Sequence, residues 1–256
     1  NRLAHPRCII LYIFLSKQQS PTLMAINFPR STSFQKNDGV DGDHVLGYLE
    51  SHPEVQELRC EQVVSDEHVQ AMDRLVKNYH TAIHLISLEL PHNGLTAAAG
   101  KPLANIVRAQ HETLQKLDLS YNQITCAGFG DLLEALTMNC PPSRLVHLDL
   151  TETQLGGKGA TAIATILRHN RSIETLCLGK NNLGTKGIKA LAPELTTNSS
   201  LKVLDLSYNN IKSRGASILA LALENATQSN LRILDVSCNK IGVPGLQAFA
   251  KFLVVD

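Results

Sequence analysis

One pattern limits this chain more than any other: L-x-x-L-x-L-x-x-N-x-L returns at a near-constant interval. Leu114, Leu117, Leu119, Asn122 and Ile124 fit it, as do Ile173, Leu176, Leu178, Asn181 and Leu183. So do Leu201, Leu204, Leu206, Asn209 and Ile211, and Leu231, Leu234, Val236, Asn239 and Ile241. Leu145, Leu148, Leu150 and Leu155 fit with Thr153 in the Asn slot. Leu85, Leu88, Leu90, Asn93 and Leu95 give an earlier copy, and Val55, Leu58 and Cys60 open a degenerate first one. The starts at 55, 85, 114, 145, 173, 201 and 231 lie 28 to 31 residues apart. A single such run says little; seven in step predict stacked repeats.

The second half of each unit is as regular. Gly128, Gly159, Gly187, Gly215 and Gly245 each follow the last hydrophobe of the pattern by four residues. From each Gly, positions +4, +5 and +8 are apolar: Leu132, Leu133 and Leu136 in one unit, Ile163, Ala164 and Leu167 in the next, then Leu191, Ala192 and Leu195, Leu219, Ala220 and Leu223, and Phe249, Ala250 and Leu253. Leu103, Ala104 and Val107 continue the column from Ala99. That spacing lies on one helix face. Each unit therefore reads as strand, turn, helix and return loop. In the strand, residues two apart point inward, and the Asn amide can bond turn backbone that the ladder leaves open. Thr153 can do so only in part. No unit can bury its apolar side alone, so neighbours must stack.

These units resemble ribonuclease-inhibitor-type leucine-rich repeats, the kind found at the C-terminal ends of NOD-like receptors; the run 170–195 is close to the family pattern. The resemblance covers about residues 55–256. It implies an α/β fold: a right-handed βα horseshoe solenoid with a parallel sheet on the concave face and helices on the convex face. It implies binding to another protein, and says little about which, since one fold hosts many functions.

Three segments are expected: a loose arm over 1–42, a capping helix over 43–54 with Val45, Leu46 and Leu49 on its inner face and no strand before it, and an array of about seven repeats over 55–256. The chain opens on Asn1, and Met24 begins a more ordinary start, so 1–23 reads as upstream sequence or a fragment edge. The apolar run 8–15 is too short to span a bilayer; it resembles the apolar centre of a signal peptide without a clean cleavage site, so a targeting peptide is the minority reading and membrane attachment through it a further alternative. No polar capping unit follows Ile241, so the array is expected either to continue or to end against a partner.

The formal net charge of +1 gives no reason to expect nucleic acid or an anionic membrane as partner. Aromatics are only 4% and Trp is absent, which suits thin aliphatic layers better than an enzyme core. The six cysteines form no CxxC pair and read as reduced thiols of a cytoplasmic protein, the alternative being a few disulfides in a secreted repeat protein. The sequons at Asn170, Asn198 and Asn225 fall at helix ends, where the repeat itself favours Asn.

Candidate binding residues are the free strand positions on the concave face: Glu89; Lys116, Asp118 and Tyr121; His147, Asp149 and Glu152; Lys180; Lys202, Asp205 and Tyr208; Arg232 and Asp235. The position between the second and third Leu is acidic five times, at Glu89, Asp118, Asp149, Asp205 and Asp235, with Cys177 interrupting. Carboxylates a strand spacing apart, about 5 Å, repel one another and favour a basic partner. Against this, L-D-L-S is common in such repeats, and Lys116 two positions before Asp118, with Lys202 and Arg232 three before Asp205 and Asp235, would offset the charge. Tyr121 and Tyr208 share one slot and are either partner anchors or half-buried rim residues.

Catalytic motifs are thin. The stretch from Gly156 to Gly159 lacks the phosphate-loop frame, and His80 and His84 lack the adjacent Glu of a metalloprotease helix. No cofactor, metal ligand set or small-molecule substrate is expected. The expected function is a protein-binding scaffold using its concave strand face. The alternatives are a regulator like the Ran GTPase-activating proteins, which have a similar curved array but carry an acidic tail that is missing after Leu253, or a structural part of a larger assembly.

Overall fold

The computed structural model describes residues 12–14, 31–79, 83–137 and 143–253. The apolar run 8–15, apart from 12–14, lies outside them, as do Cys8, His80 and Cys140.

Along the chain run β1 (Tyr12–Phe14), β2 (Ser31–Gln35), α1 (Gly42–Ser51), β3 (Glu57–Glu61), α2 (Asp66–Asn78), β4 (Ser87–Glu89) and α3 (Gly100–Ala109). Then follow β5 (Lys116–Asp118), α4 (Thr125–Thr137), β6 (His147–Asp149), α5 (Gly156–His169), β7 (Thr175–Cys177), α6 (Gly184–Thr197), β8 (Val203–Asp205), α7 (Lys212–Glu224), β9 (Ile233–Asp235) and α8 (Gly242–Leu253). The strands form one open sheet, with β2 through β9 parallel and neighbouring in chain order and β1 antiparallel on β9. This is the α/β leucine-rich-repeat solenoid that the periodicity predicts.

The short strands follow from the inward leucines. Leu88, Leu117, Leu148, Leu176, Leu204 and Leu234 are direct lateral partners across six strands and are buried. The residues on either side face the opposite way, as alternation requires. The helix columns up to Phe249 are buried on schedule except for Leu133, which is half-buried, and Ala250 is exposed where no further described helix covers it.

Residues 31–42 depart from the expected loose arm. They hold β2, paired in parallel register with all five residues of β3, so a strand does precede the first helix. Ser31–Gln35 contains one apolar side chain, Phe34, too weak a pattern to read as a strand; backbone pairing with β3 holds it. Asp41 then caps α1, its carboxylate accepting from the His44 N–H at 3.0 Å.

Between strand and helix the turns are tied together by Asn side chains. Asn209, fully buried, accepts from the Asn181 and Leu183 N–H groups of the preceding repeat, both at 3.1 Å, and donates to Leu178 O at 2.7 Å and Ser207 O at 3.0 Å. Asn239, Asn181, Asn122 and Asn93 do the same one repeat on or back. Thr153, in the same slot and fully buried, donates its hydroxyl to Leu150 O (2.7 Å) within its own repeat, so its side chain supplies no bridge back to the β5 repeat.

The turn closes with left-handed residues. At the position entering the helix Gly156, Gly184 and Gly242 have φ of +61° to +64°, while Lys212 holds +62° with an exposed side chain. A side chain there costs about 1 kcal/mol, so Lys212→Gly is expected to raise stability by about that amount in chemical denaturation; a neutral or negative change would show that the Lys side chain earns its place.

Buried Asn170 and Asn198 hold the return loops. Asn198 donates to Leu167 O of the preceding helix (2.9 Å) and accepts from the Ser200 and Leu201 N–H groups; Asn170 bonds Leu136 O and the Ser172 and Ile173 N–H groups in the same way. Gln110, after α3, does the same work between Ile83 O and the Leu85 N–H. Two of the three sequons are thus structural positions closed to a glycan.

Candidate functional site

The concave face is built by the outward residues of β3 to β9, brought side by side by lateral register. Two rows run across it. In one, Glu89, Asp118, Asp149, Cys177, Asp205 and Asp235 are successive lateral partners. Each Asp uses one carboxylate oxygen to accept from the N–H two residues on: Ser120 for Asp118, Thr151 for Asp149, Ser207 for Asp205 and Ser237 for Asp235, at 2.7 to 2.9 Å. The recurrence of L-D-L-S therefore has a local cause, since the carboxylate anchors the turn.

The cations are placed differently from the sequence expectation. Lys116 pairs with Glu89 (2.9 Å), Lys202 with Glu174 (2.6 Å) and Lys180 with Glu152 (3.0 Å). Arg232 is exposed. Among the described residues, none of Asp118, Asp149, Asp205 and Asp235 is in an ion pair. The lysines are held by glutamates of neighbouring repeats, so the aspartate row stays unneutralised. Sequence distance placed Lys and Asp together on one strand; side-chain reach across strands pairs Lys with Glu.

The row is half-buried, and its protonation follows. Burial and the Asp118 charge push Asp149 up, and burial and the Asp235 charge push Asp205 up. Burial, then the charges of Asp149, Asp205 and Asp118, push the Cys177 thiol up to about 12. Burial and Lys116 hold His147 below its ordinary value.

Glu89 shifts the other way. Burial raises it, but Lys116, Ser87 (3.1 Å) and Arg59 (2.9 Å) outweigh burial and hold it below the ordinary carboxylate range. A carboxylate with a lowered native pKa stabilises the fold above its unfolded pKa, and that stability is lost as pH falls through the native value. Glu89→Gln is therefore expected to cost about 1 kcal/mol at pH 7, after screening of its partly exposed partners. The gap to the parent chain should close as pH drops below about 4. Urea midpoints measured across that range check it; a pH-independent gap would assign the loss to packing. Arg59 was not legible as a partner, because its strand begins the degenerate repeat.

The second row lies at the strand ends. His92, Tyr121, Glu152, Lys180, Tyr208 and Cys238 all take left-handed φ, between +54° and +57°. His92 stacks on Tyr121 with ring centroids 4.1 Å apart, and the Lys180 ammonium lies 5.0 Å from the centre of the Tyr121 ring. Tyr121 is thus partly engaged, whereas Tyr208 is 54% exposed. Sequence gave the two tyrosines equal standing; the structure separates them.

Of the four described cysteines, Cys60, Cys126 and Cys177 are free, and Cys238 is disulfide-bonded. The expectation of six reduced thiols fails at Cys238, because spacing along a chain does not report which distant segments meet. A pocket lined by Leu58, Met72, Leu75, Val76 and Ile106 is wholly apolar and offers a substrate no polar group. No described helix is long and apolar enough to cross a membrane.

A curved βα array with buried Leu columns and an Asn-bonded turn defines a class, and comparison with known proteins agrees with it. A family model described as leucine-rich repeat matches residues 110–128, 144–164, 169–192, 197–220 and 227–250. Over 101 residues the chain is 36% identical to a ribonuclease inhibitor of Mus musculus and 34% identical to one of Sus scrofa. Each match covers 40% of this chain and 22% of the relative, so the matched part spans about a fifth of those relatives' length. A solved structure described as a TLR13–ssRNA13 complex overlays 81% of this chain and 32% of its own, at 18% identity and a TM-score of 0.39. The chain carries leucine-rich repeats that, over the matched part, are similar to those of ribonuclease inhibitors.

Proposed function

We propose that this chain binds another protein through its concave strand face, with a basic surface as its counterpart. The observation that carries this is the aspartate row: four carboxylates on neighbouring strands, flanked by lysines already committed to glutamates. Desolvating such a row against neutral surface is costly, while a cationic surface relieves its self-repulsion. Exposed Tyr208 beside Asp205 supplies an apolar anchor with a polar tip. The protein-binding habit of the repeat class and the apolar character of the pocket support a scaffold over an enzyme.

The test uses Asp118→Asn, Asp205→Asn and Asp235→Asn together. Asn keeps the oxygen that accepts the turn N–H, so the fold is spared. Partners captured from lysate by the parent chain should be lost or weakened at least about tenfold with the triple variant, about 1.4 kcal/mol, and their capture should fall as salt rises. Partners retained equally by both proteins at every salt concentration would refute the concave-face reading.

A further inference from the structure

We propose that His147, Asp149 and Cys177 form a binding site for a zinc-type dication on the concave face. No pair of these residues has a metal-motif spacing along the chain; sheet register assembles them. His147 and Asp149 alternate with buried Leu148 on β6, so both face outward, and Cys177 on β7 is the direct lateral partner of Asp149. One ligand atom from each lies within 4.8 Å of the others, and all three residues are half-buried. Ligands at about 2.0 to 2.3 Å from zinc sit about 3.5 Å apart in a tetrahedron, so small side-chain rotations close the set.

Three further observations favour a metal over chance adjacency. Cys177 is a free thiol, and neither it nor the His147 ring has a hydrogen bond among the described residues, so two ligating groups stand uncommitted. Asp149 is already oriented by the Thr151 N–H at 2.8 Å, the kind of outer support that metal-binding carboxylates need. Asp118 and Asp205, on the strands either side, make the surroundings negative, while the nearest cation, Lys116, is held by Glu89. Nitrogen, oxygen and sulfur together select zinc or cobalt over calcium or magnesium. On binding, Cys177 gives its proton to solvent and ligates as thiolate, and a water completes the fourth position.

The experiment uses the full chain, freed of metal and titrated with Zn(II) by calorimetry and with Co(II) by absorption. One equivalent should bind, with a thiolate-to-cobalt charge-transfer band that Cys177→Ser abolishes and Cys126→Ser leaves intact. His147→Gln and Asp149→Asn should each weaken Zn(II) at least tenfold. A readout on the unmutated chain guards against misfolded variants: Zn(II) should slow alkylation of Cys177, located by mass spectrometry, and leave Cys126 unchanged. Absence of stoichiometric uptake, a charge-transfer band that survives Cys177→Ser, or equal alkylation of Cys177 with and without Zn(II) would each overturn the proposal. Because the partner test leaves these three residues intact, either proposal can fail alone.

Discussion

Replacing Asn209 with Ala is expected to destabilise the chain by about 3 kcal/mol or more. The side chain is fully buried and bonds four backbone groups in two repeats. Removing it leaves the Asn181 and Leu183 N–H groups without their acceptor in a site where those residues are 1% and 2% exposed. Each orphaned buried donor costs roughly 1 to 3 kcal/mol, and the Leu178 carbonyl keeps only its longer bond from the Asn181 amide, at 3.2 Å. Ser207 O is less affected, since it also accepts from the Lys180 N–H at 2.9 Å. Asn209→Asp should be as damaging, because a carboxylate accepts from both N–H groups but cannot donate, and its charge would be buried. Equilibrium denaturation measures the loss, and hydrogen exchange at Asn181 and Leu183 localises it. A cost under about 1 kcal/mol would mean that the turn reshapes to satisfy itself.

Phe129→Ala is the second large effect. Aromatics make up 4% of this chain, yet Phe129 is fully buried on the inner face of α4. The equivalent position one residue after Gly159 and after Gly215 is Ala, so the layers around α4 are shaped for a ring that other repeats do without. Truncation removes the transfer energy and leaves a cavity that stacked helices on both sides cannot collapse into, at a cost of about 3 to 5 kcal/mol. Phe129→Leu should cost less than half as much. In a linear array such a loss first loosens neighbours rather than the whole chain, so exchange rates in α3, α4 and α5 should rise before those in α7. Uniform loosening would show that the solenoid folds as one unit.

The array was readable because its signals are local and repeated. L-x-x-L-x-L fixes which strand side chains point inward, and the Gly-based columns fix the helix face, so strand and helix positions follow from spacing alone. Lateral geometry was not readable. Nothing in sequence order shows that Lys116 reaches Glu89 rather than Asp118, or that Cys177 lands beside Asp149. Where a repeat is degenerate the signal fades, which is why β2 and the Arg59 partner of Glu89 escaped notice. The left-handed column was hidden for another reason: Tyr121, Glu152, Lys180 and Tyr208 are residue types that rarely adopt positive φ. Only the amide-bonded turn beneath them makes that conformation tolerable.

Thr153 has a mechanical consequence. From β4 onward every other described turn is laced to its predecessor by an amide, while the Thr153 hydroxyl donates to Leu150 O of its own repeat and Asn181 Oδ1 of the next, and to nothing in the repeat before. Stretched from its two ends, the solenoid should part first along the seam between β5 and β6. The chain would then behave as two springs in series, a shorter one carrying Glu89 and Asp118 and a longer one carrying Asp149 to Asp235. A partner that grips both would act as a splint across the weakest joint.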